Sequence, residues 1–139
     1  MAATAQIHGE IFEAWNKRDF GKMRSLLHPE YTYTGGDGKV LRGPDAGIAL
    51  AQMYAAAFPD GRLELERLHV AGDTAIAEMV ARGTHGGDLM GIAATGKKVE
   101  LRICNVMELK DGKVYREREY MDLATLLAQI GATALPAAG

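Results

Sequence analysis

Between Lys98 and Leu109 every second residue belongs to one series, Val99, Leu101, Ile103, Asn105, Met107 and Leu109, and only Asn105 among them is polar. Strand side chains alternate between the two faces of a sheet, so this run reads as a long strand with one apolar face. Two further strand-like runs precede it, Arg62 to Val70 and Thr74 to Thr84, each bounded by Gly-rich or Gly-Asp turns. Another follows from Lys113 to Tyr120 or Asp122, joined through Asp111-Gly112, two residues that tolerate the positive φ of a type I′ hairpin turn. Such a sheet needs cover on its apolar side.

The cover comes from the first sixty residues or so. From Thr4 to about Lys17, Ile7, Ile11, Ala14 and Trp15 recur at helical spacing, and Phe12 widens their stripe. Asp19 caps a second short helix, Phe20 to Leu27, which His28-Pro29 stops because proline lacks an amide donor and disfavours helix in its predecessor. Tyr31 to Thr34 reads as a short strand running into the turn Gly35 to Gly38. Gly43-Pro44-Asp45 opens a third helix carrying Ile48, Leu50, Met53 and Tyr54, and Phe58-Pro59-Asp60-Gly61 closes it. A last helix is expected from about Asp122 to Gln129 with Gly131 as its stop, and Ala132 to Gly139 as a frayed tail. Helices first and a meandering sheet afterwards predict an α+β fold, one domain over residues 1–139, with helices on one face of a curved, mostly antiparallel sheet.

Composition narrows the function classes. A chain of 139 residues buries roughly 68–70% of its unfolded surface, enough for a core without a metal or disulfide staple. Cys104 is the only cysteine, so no intrachain disulfide forms, and its place in an apolar strand favours an inert buried thiol over a nucleophile. A formal charge of −2 offers no basic excess for phosphates, which makes nucleic acid an unexpected partner and a small hydrophobic molecule a better one. Residues 1–6 lack a basic region and an export-length apolar run, and no segment approaches the roughly 20 apolar residues of a membrane span. A cytoplasmic protein with no membrane association is expected. Phosphate-binding glycine motifs and Gly-x-Ser-x-Gly are absent from the sequence. The histidines are scattered, and Glu66 and His69, three apart in a strand, point to opposite faces; no metal site is expected.

Asn105 is the anomaly, because a polar group left unpartnered in an apolar layer costs about 1–3 kcal/mol. If Asp111-Gly112 is a plain two-residue turn, Lys110 meets Lys113, Asn105 lies opposite Arg118, Ile103 opposite Tyr120 and Leu101 opposite Asp122. Asn105, Arg118, Tyr120 and Asp122 would then share one face, either around a ligand or in an internal network pairing Arg118 with Asp122. A bulged connection instead moves the facing set to Glu117 and Glu119. Asp122 also reads as the N-cap of the last helix. His85, before the flexible Gly86-Gly87-Asp88, reads either as a proton carrier at a pocket mouth or as an exposed loop residue. Trp15, Tyr31, Tyr33, Tyr54 and Phe58 are too scattered for base stacking and read mostly as core, with a tyrosine able to line a cavity.

The order of these pieces resembles the SnoaL-like polyketide cyclases and ester cyclase-like proteins of the nuclear transport factor 2-like, or ketosteroid isomerase-like, superfamily. The resemblance rests on Trp15-Asn16 and Asp19, His28-Pro29-Glu30-Tyr31, Phe58-Pro59-Asp60, Gly83-Thr84-His85, Gly91-Ile92 to Thr95-Gly96-Lys97, Asp111-Gly112-Lys113, Tyr120-Met121-Asp122 and Leu126 to Gly131. It implies a cone of three to four helices and a curved sheet around an apolar pocket, commonly a homodimer through the sheet, and no cofactor or metal. It further implies that Asp122 is the general acid/base of an intramolecular aldol closure, and Asn105 is the nearest candidate for the place of a histidine the family carries on the preceding strand; His85, from its loop position, joins them as a candidate proton carrier. Trp15, Tyr31, Tyr33, Tyr54, Phe58, Arg118 and Tyr120 are the expected substrate-binding residues. The resemblance leaves two other functions open: a non-catalytic hydrophobic ligand-binding protein of the same fold, and an epoxide-hydrolase-like activity needing a second pocket aspartate beside Arg102 or Arg118.

Overall fold

In the computed structural model, which describes residues 2–132, four helices accompany one six-stranded sheet in the order β2-β1-β6-β5-β4-β3. The expected tail, apart from Ala132, lies outside the described residues. The elements are α1 (Ala2–Asn16), α2 (Phe20–Ser25), β1 (Leu27–Thr34), β2 (Val40–Arg42), α3 (Pro44–Ala57), β3 (Arg62–Ala71), β4 (Thr74–Thr84), β5 (Lys98–Lys110), β6 (Lys113–Met121) and α4 (Leu123–Gln129). Neighbouring strands are antiparallel except β1 and β6, which run parallel. α1 packs on β3 and β4, α3 on β1 and β2, and α4 on β5, so the helices cover one face of an open sheet. This is the α+β arrangement that the sequence pattern predicts.

Two boundaries differ from expectation. α2 ends at Ser25, and His28-Pro29 lies inside β1 rather than at a helix stop. The Val114 amide donates to the Leu26 carbonyl at 2.9 Å and draws the chain into the sheet early. Pro29 is tolerated because it falls between Leu27 and Thr32, where the β1–β6 register is interrupted and no ladder bond is required of it. β2 is only three residues long, too short for an alternation to announce it.

The hairpin between β5 and β6 decides what the cavity contains. Asp111 and Gly112 have φ of 55° and 72°, and Lys110 pairs with Lys113, as a two-residue turn requires. The ladder then slips: Leu109 pairs with Val114 but Glu108 pairs with Arg116, leaving Tyr115 as an extra residue. Tyr115 is held in this bulge by an edge contact with His28 at 5.2 Å between ring centroids and by the cations of Lys110 and Arg116 over its ring. Period-two alternation means that one extra residue turns every following side chain to the other face. Asn105 therefore faces Glu119, not Arg118, and Ile103 faces Met121, not Tyr120. The plain-hairpin pairing is overturned, and the bulged register is the one adopted.

Candidate active site

On the covered face of the sheet, Glu117 and Glu119 of β6 stand beside Asn105 of β5, and Tyr31 and Tyr33 of β1 reach them from the other side. Asn105 is 0% exposed, and its side-chain amide bridges the two carboxylates, donating to Glu117 Oε2 at 2.7 Å and to Glu119 Oε2 at 3.1 Å. The Tyr31 hydroxyl donates to Glu117 Oε1 at 2.5 Å and the Tyr33 hydroxyl to Glu119 Oε1 at 2.7 Å. Each carboxylate thus receives one bond on each oxygen, all from neutral donors. Among the described residues neither carboxylate has an ion-pair partner. Asn105 Oδ1 is left buried without a partner.

Burial pushes the Glu117 carboxyl up to about 7, helped by the neighbouring Glu119 charge and opposed by the bonds from Tyr31 and Asn105. Glu119 is raised too, by burial, against the opposing bonds from Tyr33 and Asn105. The hydroxyls of Tyr31 and Tyr33 are pushed up by burial and then by the carboxylates beside them, so they remain protonated donors.

Packing fixes this cluster. Gly47 in α3 lies so close to Tyr31 that a Cβ there would come within 2.6 Å of a ring carbon, and only glycine lets the ring lie against the helix. Above the cluster are two adjoining apolar chambers. An inner one of about 80 Å³ is lined by Phe12, Tyr31, Tyr33, Ile48, Glu117 and Glu119, among others. An outer one of about 110 Å³ is lined by Trp15, Tyr54, Phe58, Leu101, Ile103, Met121, Leu126 and Glu119, among others. Trp15, Tyr54, Leu63 and Glu119 border both. The outer wall is tied down by Arg18, which donates to the carbonyls of Trp15, Phe58, Pro59 and Gly61 and lies 4.2 Å from the Trp15 ring. Asn16 adds a reciprocal pair of bonds to the Leu63 backbone, at 3.0 and 2.9 Å. The Tyr54 hydroxyl has no hydrogen-bond partner among the described residues, and burial followed by the Glu119 charge raises its pKa.

Of the residues singled out from sequence, Trp15, Tyr31, Tyr33, Tyr54 and Phe58 line the chambers and Asn105 lies on their floor. Arg118 and Tyr120 do not. The bulge turns them to the outer face, where Arg118 pairs with Glu108 and Tyr120 is 57% exposed. Asp122 caps α4: its carboxylate accepts from the Thr125 amide at 3.2 Å and from the Thr125 hydroxyl at 2.8 Å. Those bonds hold it below the ordinary aspartate range, and it borders neither chamber. His85 is neither exposed nor at a mouth; it is 0% exposed behind Phe58, 5.8 Å between ring centroids. The loop after it folds back, with the amides of Gly86 and Gly87 donating to the Ala57 carbonyl and the Thr95 amide donating to His85 Nδ1 at 3.3 Å. Glu117 and Glu119 entered the sequence reading only through the bulged register.

The sequence pattern of the SnoaL-like polyketide cyclases matches residues 5–130. The chain belongs to this family. Among its relatives is the aklanonic acid methyl ester cyclase AcmA of Streptomyces galilaeus, 28% identical over 87% of this chain and 85% of the relative. Among solved structures, TsrD from Streptomyces laurentii superposes with a TM-score of 0.83 at 30% identity, covering 95% of this chain and 97% of that one. A nuclear transport factor 2-like protein of unknown function from Burkholderia pseudomallei shares the fold, with a TM-score of 0.81 at 22% identity over 95% and 100% of the two chains. This SnoaL-like chain therefore has the family's fold, and it carries glutamates and an asparagine on the chamber floor.

Proposed function

We propose that this protein is an acid/base catalyst of intramolecular ring closure on a hydrophobic carbonyl compound, with Glu119 as the proton-transfer group. The observation that carries the reading is the position of Glu119, an ionisable side chain bordering both apolar chambers, with the unpartnered Tyr54 hydroxyl in the same walls. Glu119 removes a proton from the carbon next to a substrate carbonyl, and the Tyr54 hydroxyl donates to the enolate oxygen that forms. The carbanion attacks a second carbonyl carbon of the same molecule, forming the ring bond, and protonated Glu119 returns its proton to the new alkoxide. The balance needs no co-reactant. Burial that raises the Glu119 pKa strengthens it as a base near neutral pH.

Asp122 is the alternative base. What favours Glu119 over it is that Asp122 is committed to Thr125 and the end of α4. The expected homodimer would use the outer sheet face, where Ile76 and Tyr120 are exposed, and sedimentation velocity tests it. The test compound for the activity is aklanonic acid methyl ester, on which the named relative acts. Incubation should give ring-closed product with the native chain and with D122N, and E119Q should bind the compound with turnover lowered by roughly 10²–10⁴-fold. Turnover retained by E119Q overturns the reading.

A further inference from the structure

The two glutamates differ in what they touch. Glu119 borders both chambers, whereas Glu117 borders only the inner one. One amide group spans them, with one N–H for each. Among the described residues no cation pairs with either carboxylate; Arg62 and Arg82 lie in the wall of the outer chamber, and Arg82 is engaged by Glu64 and Glu100. The groups facing the pair are Tyr31 and Tyr33 from β1, Asn105 and Met107 from β5, and Tyr54 from α3, with Phe12 and Trp15 from α1; none of these carries a positive charge. Like charges side by side in such surroundings do not both ionise, and the pair titrates as a unit.

We infer that Glu117 and Glu119 share a single proton, with Glu117 as the positioning residue that holds it and Glu119 left as the base. Glu117 is suited to the protonated role because its Oε1 lies 2.5 Å from the Tyr31 hydroxyl, a group that can accept as well as donate. The bridging Asn105 amide donates one N–H to each carboxyl, and its bond to Glu119 favours the anion there. The resting pair carries one proton and one negative charge. When Glu119 takes the substrate proton the pair becomes neutral with two protons, and delivery of one to the alkoxide restores the resting state. The role in turnover rests on the proposed function above, whereas the shared proton does not.

The experiment is a pH titration of the native protein labelled with 13C at glutamate side-chain carboxyls, read by NMR without substrate. The expected result is two linked steps, the upper one near neutral pH, seen at both Glu117 and Glu119. In E119Q the Glu117 signal should titrate as one step, displaced downward by about one pH unit or more because the like charge is gone. Ionisation of both carboxyls together in the ordinary glutamate range of the native protein overturns the inference, whether or not either variant folds. So does an E119Q titration that leaves Glu117 where it was. With turnover measurable, E117Q should leave the acid limb of the pH–rate profile in place, because the introduced amide is a neutral neighbour like protonated Glu117, and should remove the upper inflection near neutral pH, which E117D should restore. An E117Q profile that keeps the upper inflection removes the positioning role. Loss of turnover in E119Q with no linked titration would leave Glu119 as the base and sink only the shared proton.

Discussion

The two faces of β6 put the same kinds of charge to opposite uses. On the outer face Arg118 meets Glu108, and on neighbouring strands Arg82 meets Glu64 and Glu100, and Arg102 meets Glu66, pairs in water worth little each. On the inner face Glu117 and Glu119 meet only neutral donors. Water screens the first set and charges balance; nothing screens the second, and the imbalance becomes proton affinity. Asp122, three residues beyond Glu119, shows the same contrast along the chain: turned to solvent at a helix end, its proton affinity falls.

The comparison is most sharply tested by exchanging carboxylates for amides on each side of it. E119Q is expected to lower turnover by roughly 10²–10⁴-fold, the span that general acid/base catalysis contributes. D122N should stay within a few-fold of the native rate; equal losses in the two variants would erase the distinction drawn here.

The next largest effect is on folding. Burial raises the Glu117 carboxyl in the folded chain to about 7 from its ordinary 4.5, so between those values the folded chain binds more protons than the unfolded one. Stability from this group is therefore greatest below about pH 4.5 and is lost as pH rises through about 7, amounting to about 3 kcal/mol at 1.36 kcal/mol per pKa unit. His8 acts with the opposite sign: burial lowers it from 6.5 to about 4, so its contribution is lost as pH falls through that window. Urea unfolding across pH should show native stability nearly level where the two groups offset each other and declining from pH 6.5 through about 7, and E117Q should abolish that decline and leave a curve that rises from pH 4 to 6.5.

Asn105→Leu should cost about 1–3 kcal/mol for each carboxylate left short of its N–H, and more at pH 8 than at pH 5, because the lost bonds favour the anions. A pH-independent cost would mean that Asn105 only fills space. The smallest effect expected is a change of sign. Gly to Ala inside a helix ordinarily gains about 0.5–1 kcal/mol, yet Gly47→Ala should lower the urea midpoint, because its Cβ strikes the Tyr31 ring that orients Glu117.

How far the sequence reveals this arrangement depends on the residue. β4 and β5 were legible almost to their ends because long strands with one buried face repeat their period many times. Helical spacing placed Trp15 and Tyr54 on apolar helix faces and read them mostly as core; their role with Phe58 in a pocket wall came with the family resemblance. Asn105 was visible as an exception to its row. Its partners were left between two registers, because hairpin turn chemistry fixes only the first pair beyond Asp111-Gly112, and the bulge places Tyr115 against His28, eighty-seven residues earlier in the chain. Asp122 was legible as a cap for the opposite reason: Thr125, its partner, lies within one turn.

Tyr115 thus sets the phase in which the last strand is read. Without the bulge, the same nine residues would offer Arg116, Arg118 and Tyr120 to the chambers and give Glu117 and Glu119 to the solvent. The chemistry of the floor is therefore stored in the parity of a hairpin as much as in the identity of its residues. For this scaffold, straightening the bulge so that Tyr115 enters the ladder is a shorter path from proton abstraction to anion capture than exchanging the floor residues one by one, whereas deleting Tyr115 would leave Glu119 opposite Asn105.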